Sequence, residues 1–108
     1  MKKRVEEYIP EALKALKDVG IVKNGKFSKE YNGYISSFGA SIRQAGLLAT
    51  IMFYSAEDSG ASQDRKKIIE AIEQIIGVND LKNHIDKKSQ IEQAAVALKL
   101  AIRTFKKD

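Results

Sequence analysis

Chemistry in this chain has few side chains to draw on. Its 108 residues include no Cys and a single His, His84. Without Cys there are no disulfides, Cys-based zinc sites, iron–sulfur clusters or thiol nucleophiles. With one His there is no His pair to share a metal. Asp80 and Asp86 lie near His84, so a hydrolytic or metal role can be drawn. A partly exposed His in a polar connection accounts for the same residues more simply. Carboxylates pair at Glu6/Glu7, Glu57/Asp58 and Glu70/Glu73. General acid–base work needs such groups in a pocket that shifts their pKa values. The first and third pairs sit on solvated helix faces beside cations, the second in a polar loop. Gly33, Gly39 and Gly46 are too widely spaced for a phosphate-cradling G-x-G-x-x-G and follow no strand. No catalytic residue, metal site or cofactor is therefore expected, and the chain reads as a non-enzyme.

The remaining chemistry belongs to cations. There are 19 Lys and Arg against 14 Asp and Glu, a net charge of +5 and a sequence pI near 9.4. Residues 1–30 carry a net +3, residues 31–79 a net −1 and residues 80–108 a net +3. Both ends are basic, which favours anionic partners. Arg43 is the lone charge between Tyr31 and Ala56. A planar guanidinium in such a setting serves phosphate or an interface; it can also simply snorkel to the surface. Arg65, Lys66 and Lys67 open a helix, where the dipole opposes cations. With the free N–H groups they could hold an anion, or they could be an exposed end softened by Asp64. Arg103, Lys106 and Lys107 fall at the end of the last helix, where the dipole already favours them. They rank third as candidates for that reason. Lys87 and Lys88 read as solvated.

These side chains are carried by helices. Val5, Ile9, Ala12, Leu13 and Leu16 form one amphipathic stripe, with Pro10 marking a start or a kink and Gly20 a stop. Asn24-Gly25 signals a tight turn or minimal ribbon. Ser28 can cap a second helix with Tyr31, Tyr34, Ile35, Phe38 and Ile42 inside. The small residues Ser36, Ser37, Gly39, Ala40 and Ser41 suggest close approach to another helix, and a break is expected near Ala45-Gly46. Leu47–Tyr54 is apolar all round save Thr50, which places it at the bundle centre with Leu48 and Ile51 in the core. Phe53 and Tyr54 join the other aromatics at core spacing, since no base-stacking platform pattern is present. Ile68, Ile69, Ile72, Ile75 and Ile76 mark a further helix that stops at Gly77. Asp80–Ile85 can make one short turn. Ser89-Gln90-Ile91-Glu92 matches a capping box for a last helix bearing Ile91, Ala94, Ala95, Leu98, Ile102 and Phe105. The expectation is all-α: one domain over residues 1–108, a bundle of four to five helices with a polar surface loop over 55–64.

The segment from Tyr34 to Tyr54 carries a resemblance. A Tyr-started helix runs through small residues to Ile42. The polar pair Arg43-Gln44 follows, then Gly46-Leu47, then an apolar helix ending in Phe53-Tyr54. In this the chain resembles the small all-helical subunit of the Cmr complex, the type III-B CRISPR RNA-guided effector. Chain length and the two terminal helices extend the likeness over most of the sequence. The resemblance implies a non-catalytic subunit in antiviral defence that stacks along the belly of the complex. It would contact the backbone subunits and present basic surface to guide RNA and target RNA, with cleavage left to another subunit.

On that reading RNA contact or interface runs through Arg43 first, then Arg65, Lys66 and Lys67, then Arg103, Lys106 and Lys107. The alternative is a helical protein–protein adaptor with no nucleic-acid contact. The partners expected are other subunits, guide and target RNA, and further copies of itself by self-stacking. A membrane is not among them. In Val5-Glu6-Glu7-Tyr8, which follows Met1-Lys2-Lys3-Arg4, two carboxylates break any signal-peptide core, and Gly46–Tyr54 is too short to span a bilayer. The expected location is cytoplasmic.

Overall fold

Helix α1 (Val5–Asp18) buries Tyr8, Ala12, Ala15 and Leu16, one stripe at helical spacing. It runs through Pro10, whose ring lies on the exposed side with Glu6, so the carbonyl that loses its N–H partner can turn to water. The helix ends in a Schellman motif. The Gly20 N–H donates to the Lys17 carbonyl at 3.1 Å and the Ile21 N–H to the Leu16 carbonyl at 3.0 Å. Ile21 and Leu16 are both buried, the apolar contact that accompanies this ending. The structure, a computed structural model, describes residues 4–56 and 62–108.

Strands β1 (Val22–Lys23) and β2 (Lys26–Phe27) form the expected minimal ribbon, with Val22 opposite Phe27 and Lys23 opposite Lys26. Asn24 and Gly25 both have positive φ, 55° and 75°, as a two-residue hairpin turn demands. A third strand, β3 (Lys106–Lys107), pairs parallel with β2. It is anchored by the Lys106 N–H on the Gly25 carbonyl at 3.0 Å and the Asp108 N–H on the Phe27 carbonyl at 2.9 Å. The chain end expected to be helical is therefore a strand, and Phe105 lies beyond the helix.

Helix α2 (Glu30–Ala45) buries Tyr31, Ile35, Phe38 and Ile42. Ser28 does not cap it: its hydroxyl donates to the Glu30 carboxylate instead. Nothing lies within 4 Å of a Cβ built on Gly33 or Gly39, and Ser36 and Ser37 are exposed. Ser36, Ser37 and Gly39 thus do not mark a close helix crossing, whereas Ser41 meets Thr50 across the break that follows. At the expected break, Gly46 takes φ 96°, a conformation costly for any residue with a Cβ. The chain then re-enters helix as α3 (Leu47–Ser55). Thr50 ties the two together. Its hydroxyl donates to the Gly46 carbonyl at 2.8 Å, which leaves Ser41 as donor in the 2.7 Å Ser41–Thr50 bond.

Helix α3 is not the centre of the bundle. Leu47, Thr50, Ile51 and Tyr54 are buried, while Leu48, Met52 and Phe53 are 44%, 62% and 58% exposed. It packs on α2, on α4 (Ser62–Ile76) and on a 3-10 segment (Leu81–Lys87), and its other side is bare. The central element is α5 (Lys88–Ile102), which packs on α1, α2 and α4. Ala94, Ala95, Ala97 and Ala101 let neighbours approach it from several sides around Ile91, Leu98 and Ile102. The capping box at Ser89 does not form, because the 3-10 segment runs directly into α5 and Ser89 is already helical. In α4, Ile68, Ile69, Ile72 and Ile75 are buried as expected, with Ile76 packed at the margin. The fold is broadly all-α, as the sequence indicates. The polar loop assigned to 55–64 lies largely outside the described residues, as does the Glu57/Asp58 pair, while residues 62–64 belong to α4.

Candidate nucleic-acid interface

The candidate cations reach the surface from four elements. Arg43 is exposed in the last turn of α2. It lines a shallow groove of about 120 Å³ between α2 and α5, beside Gly39, Glu92 and Lys99. Glu92 brings a carboxylate into this groove, so its charge is mixed.

Arg65, Lys66 and Lys67 are half-buried and stand one turn inside α4, since the helix begins at Ser62. The helix-dipole penalty fades over the first turn, so these cations work against their helix less than the sequence suggests. Their settings differ. The Arg65 guanidinium carbon lies 4.7 Å from the centre of the Phe53 ring, a cation–π contact that gives the exposed phenyl ring a partner. Lys67 turns the other way, towards the end of α1, with its Nζ 3.8 Å from the point where a Gly20 Cβ would stand. The start of α4 is held to α2 by the Tyr31 hydroxyl, which donates to Asp64 at 2.9 Å. Burial, then the Asp64 carboxylate, push the Tyr31 phenol far above its usual range. Tyr54 donates to the Tyr34 carbonyl at 2.6 Å, and burial raises its pKa to about 12 against the opposing charge of Arg65. At the start of α2 the Ser28 hydroxyl, then a backbone N–H, lower the Glu30 pKa.

Arg103 is exposed at the end of α5. Lys106 and Lys107 are not at a helix end but in β3. Strand register puts Lys106 opposite Lys26, which is itself opposite Lys23. Partners across adjacent strands share a face about 5 Å apart. Lys23, Lys26 and Lys106 are therefore one row on the outer face. Val22 and Phe27 are buried on the inner face, where Lys107 is the exposed end of the row. Lys23, Lys26 and Lys67 also line one shallow cleft of about 190 Å³ with Tyr31, Ser28 and Asp108. Arg43 and Lys67 face different clefts, so the three candidate groups do not form one site.

Lys23 and Lys26 were missed as candidates. The signal was present, because a two-residue Asn-Gly turn places its flanking residues opposite each other. Among the described residues no cluster of three His, Asp or Glu side chains could hold a metal. Asp80 is engaged by the Asn83 amide at 2.5 Å.

A family model described as CRISPR-associated protein (Cas_Cmr5) matches residues 7–105. The chain belongs to the Cas_Cmr5 family. The match takes in parts or all of the five helices and strands β1 and β2 of the ribbon, from the first turn of α1 to the residue before β3. Membership makes it a subunit of the CRISPR-associated Cmr complex, with other Cmr subunits as partners. No curated protein and no solved structure matches. Among the described residues no helix is long and apolar enough to cross a membrane.

Proposed function

We propose that this chain is a non-catalytic structural subunit of the type III-B RNA-guided interference complex in antiviral defence. It packs against the backbone subunits and lies along guide and target RNA in the cytoplasm, as one domain over residues 1–108. Basic side chains neutralise phosphates without reading bases, since guide–target pairing reads sequence and phosphate contacts only position. The observation that carries this reading is the Cas_Cmr5 match over residues 7–105. The exposed, cation-rich ribbon and the cations of α2 and α4 agree with it. Target RNA binding by the reconstituted complex is the test. Replacing Arg43, Arg65 and Lys66 by Gln should weaken binding to all sequences alike and flatten its salt dependence by about 0.7 per lost single-strand contact. An unchanged salt slope for these and every other cation of the chain would refute RNA contact.

A second reading rests on one observation, the bare side of α3. Leu48, Met52 and Phe53 are exposed on α3, and Ile85 is exposed on the 3-10 segment that packs against it, and grouped exposed apolar residues mark interaction surfaces. A protein-only adaptor would use this face and leave its cations to solubility. In that case Arg43→Ala would abolish assembly, or leave it intact, without touching the salt slope of RNA binding.

A further inference from the structure

We infer that Lys23, Lys26 and Lys106 form a phosphate-binding ladder, built by the three-stranded ribbon, that tracks the backbone of an RNA strand. The inference rests on the RNA-contact reading above and deepens it, adding Lys23 and Lys26 to the candidates and joining them to Lys106 in one row. All three side chains are exposed. Register places them in one row across three strands, Lys23 opposite Lys26 and Lys26 opposite Lys106. Like charges directly opposite each other destabilise a sheet. A ribbon selected for stability alone would alternate sign here. Lys67 adds a fourth cation, because its Nζ and the Lys23 Cε lie 3.8 and 3.7 Å from the same point above Gly20. Among the described residues lining the cleft, the three cations Lys23, Lys26 and Lys67 face one acidic residue, Asp108, so positive charge predominates.

Two simpler explanations cover only parts of the row. Lysines on edge strands discourage sheet-to-sheet pairing, which suits β1 and β3, but Lys26 is on the central strand β2. Cations near a helix C-terminus are favoured by its dipole, which suits Lys23 and Lys67 beside the end of α1. It does not reach Lys26 or Lys106. The helix-end explanation for Lys106 lapses because Lys106 is in a strand. A polyanion with regularly spaced charges relieves the whole row at once.

The test uses the assembled complex, with binding of a labelled complementary target RNA measured between low and high salt. For K23Q/K26Q/K106Q the slope should flatten by about two units, three single-strand phosphate contacts at about 0.7 each. Affinity at 0.1 M salt should fall about tenfold or more. Melting of the isolated full chain at low salt should hold or rise, because repulsion has been removed. K23R/K26R/K106R should restore the slope. If the triple Gln variant disturbs assembly, K26Q alone should flatten the slope by about 0.7. An unchanged slope for the ladder variants, while Arg43, Arg65 and Lys66 variants flatten it, overturns the ladder and leaves the RNA reading standing. No response from either set overturns the ladder, and the RNA reading falls with it once Lys67, Arg103 and Lys107 are silent as well. Competition by polyglutamate as effective as by oligouridylate of equal charge also overturns the ladder, because the row then serves an acidic protein.

Discussion

Two neighbouring truncations on α3 separate a core helix from a half-bare one. Ile51 is 2% exposed and Leu48 is 44% exposed, three residues apart in the same helix. Their side chains have the same number of carbons, and the change to Ala gains slightly more helix propensity at β-branched Ile51 than at Leu48, so propensity works against the expected order rather than for it. Removing a buried Ile side chain costs about 2–5 kcal/mol, the lost transfer energy plus the cavity. Leu48 buries about half its surface and leaves no enclosed cavity, so its truncation should cost about 1 kcal/mol or less. A domain of this size shifts its Tm by about 4–8 °C per kcal/mol. Ile51→Ala should therefore lower Tm by about 8–40 °C, and Leu48→Ala by less than about 8 °C. Thermal and urea unfolding followed by far-UV circular dichroism reads both. Equal losses for the two variants would place α3 back at the centre of the bundle and refute the packing described above. So would a larger loss for Leu48→Ala.

Gly33→Ala should raise stability by about 0.5–1 kcal/mol, since the site is helical, open and free of positive φ; the urea midpoint checks it. Gly46→Ala should lower stability by about 1–2 kcal/mol in the same assay, because its φ of 96° has no room for an L side chain's preferences. The Tyr54 phenol is held at about 12 in the folded chain, above the usual 10, so its contribution is intact below pH 10 and is lost as pH rises towards 12. Ultraviolet titration should show Tyr54 ionising late or together with unfolding, and Tyr54→Phe should make the stability loss between pH 10 and 12 shallower. Tyr31→Phe removes the bond to Asp64 and should cost about 0.5–1.5 kcal/mol by urea unfolding.

Much of this arrangement is legible in the residue order. The stripes of α1, α2 and α4 follow the 3.6-residue period. In α2 and α4 the inward residues are those the sequence names, with Tyr34 and Ile76 at the margin, whereas in α1 the stripe is turned so that Tyr8 and Ala15 join Ala12 and Leu16 inside and Val5, Ile9 and Leu13 are only partly buried. The Asn24-Gly25 turn and the Gly46 break rest on backbone chemistry confined to two residues, and both form. The errors arise where a local signal meets a longer-range choice. An octet at 47–54 that is apolar save for Thr50 says only that a helix has no polar face, and it cannot say which side finds a neighbour. Ser89 offers a cap, but a preceding 3-10 segment removes the free helix end it would serve. Lys106 and Lys107 continue a helical pattern, yet Thr104 bonds back to the Ala101 carbonyl and releases the chain towards β2. That strand pairing joins residues some eighty positions apart. It rewrites the candidate interface, because it moves Lys106 from a helix end to the face of Lys26.

The central claim is that this Cas_Cmr5 chain touches RNA inside its complex through basic surface. The most direct measurement is cross-linking of 4-thiouridine-bearing guide and target RNA in the assembled complex, with the adducts located by peptide mass spectrometry. The expected result is adducts on this chain in peptides that contain the ribbon (Val22–Phe27), the first half of α4 or the 103–107 segment, at positions that do not depend on RNA sequence. Adducts confined to other subunits, in complexes that contain this chain at full occupancy, would contradict the claim and leave it a protein-only adaptor.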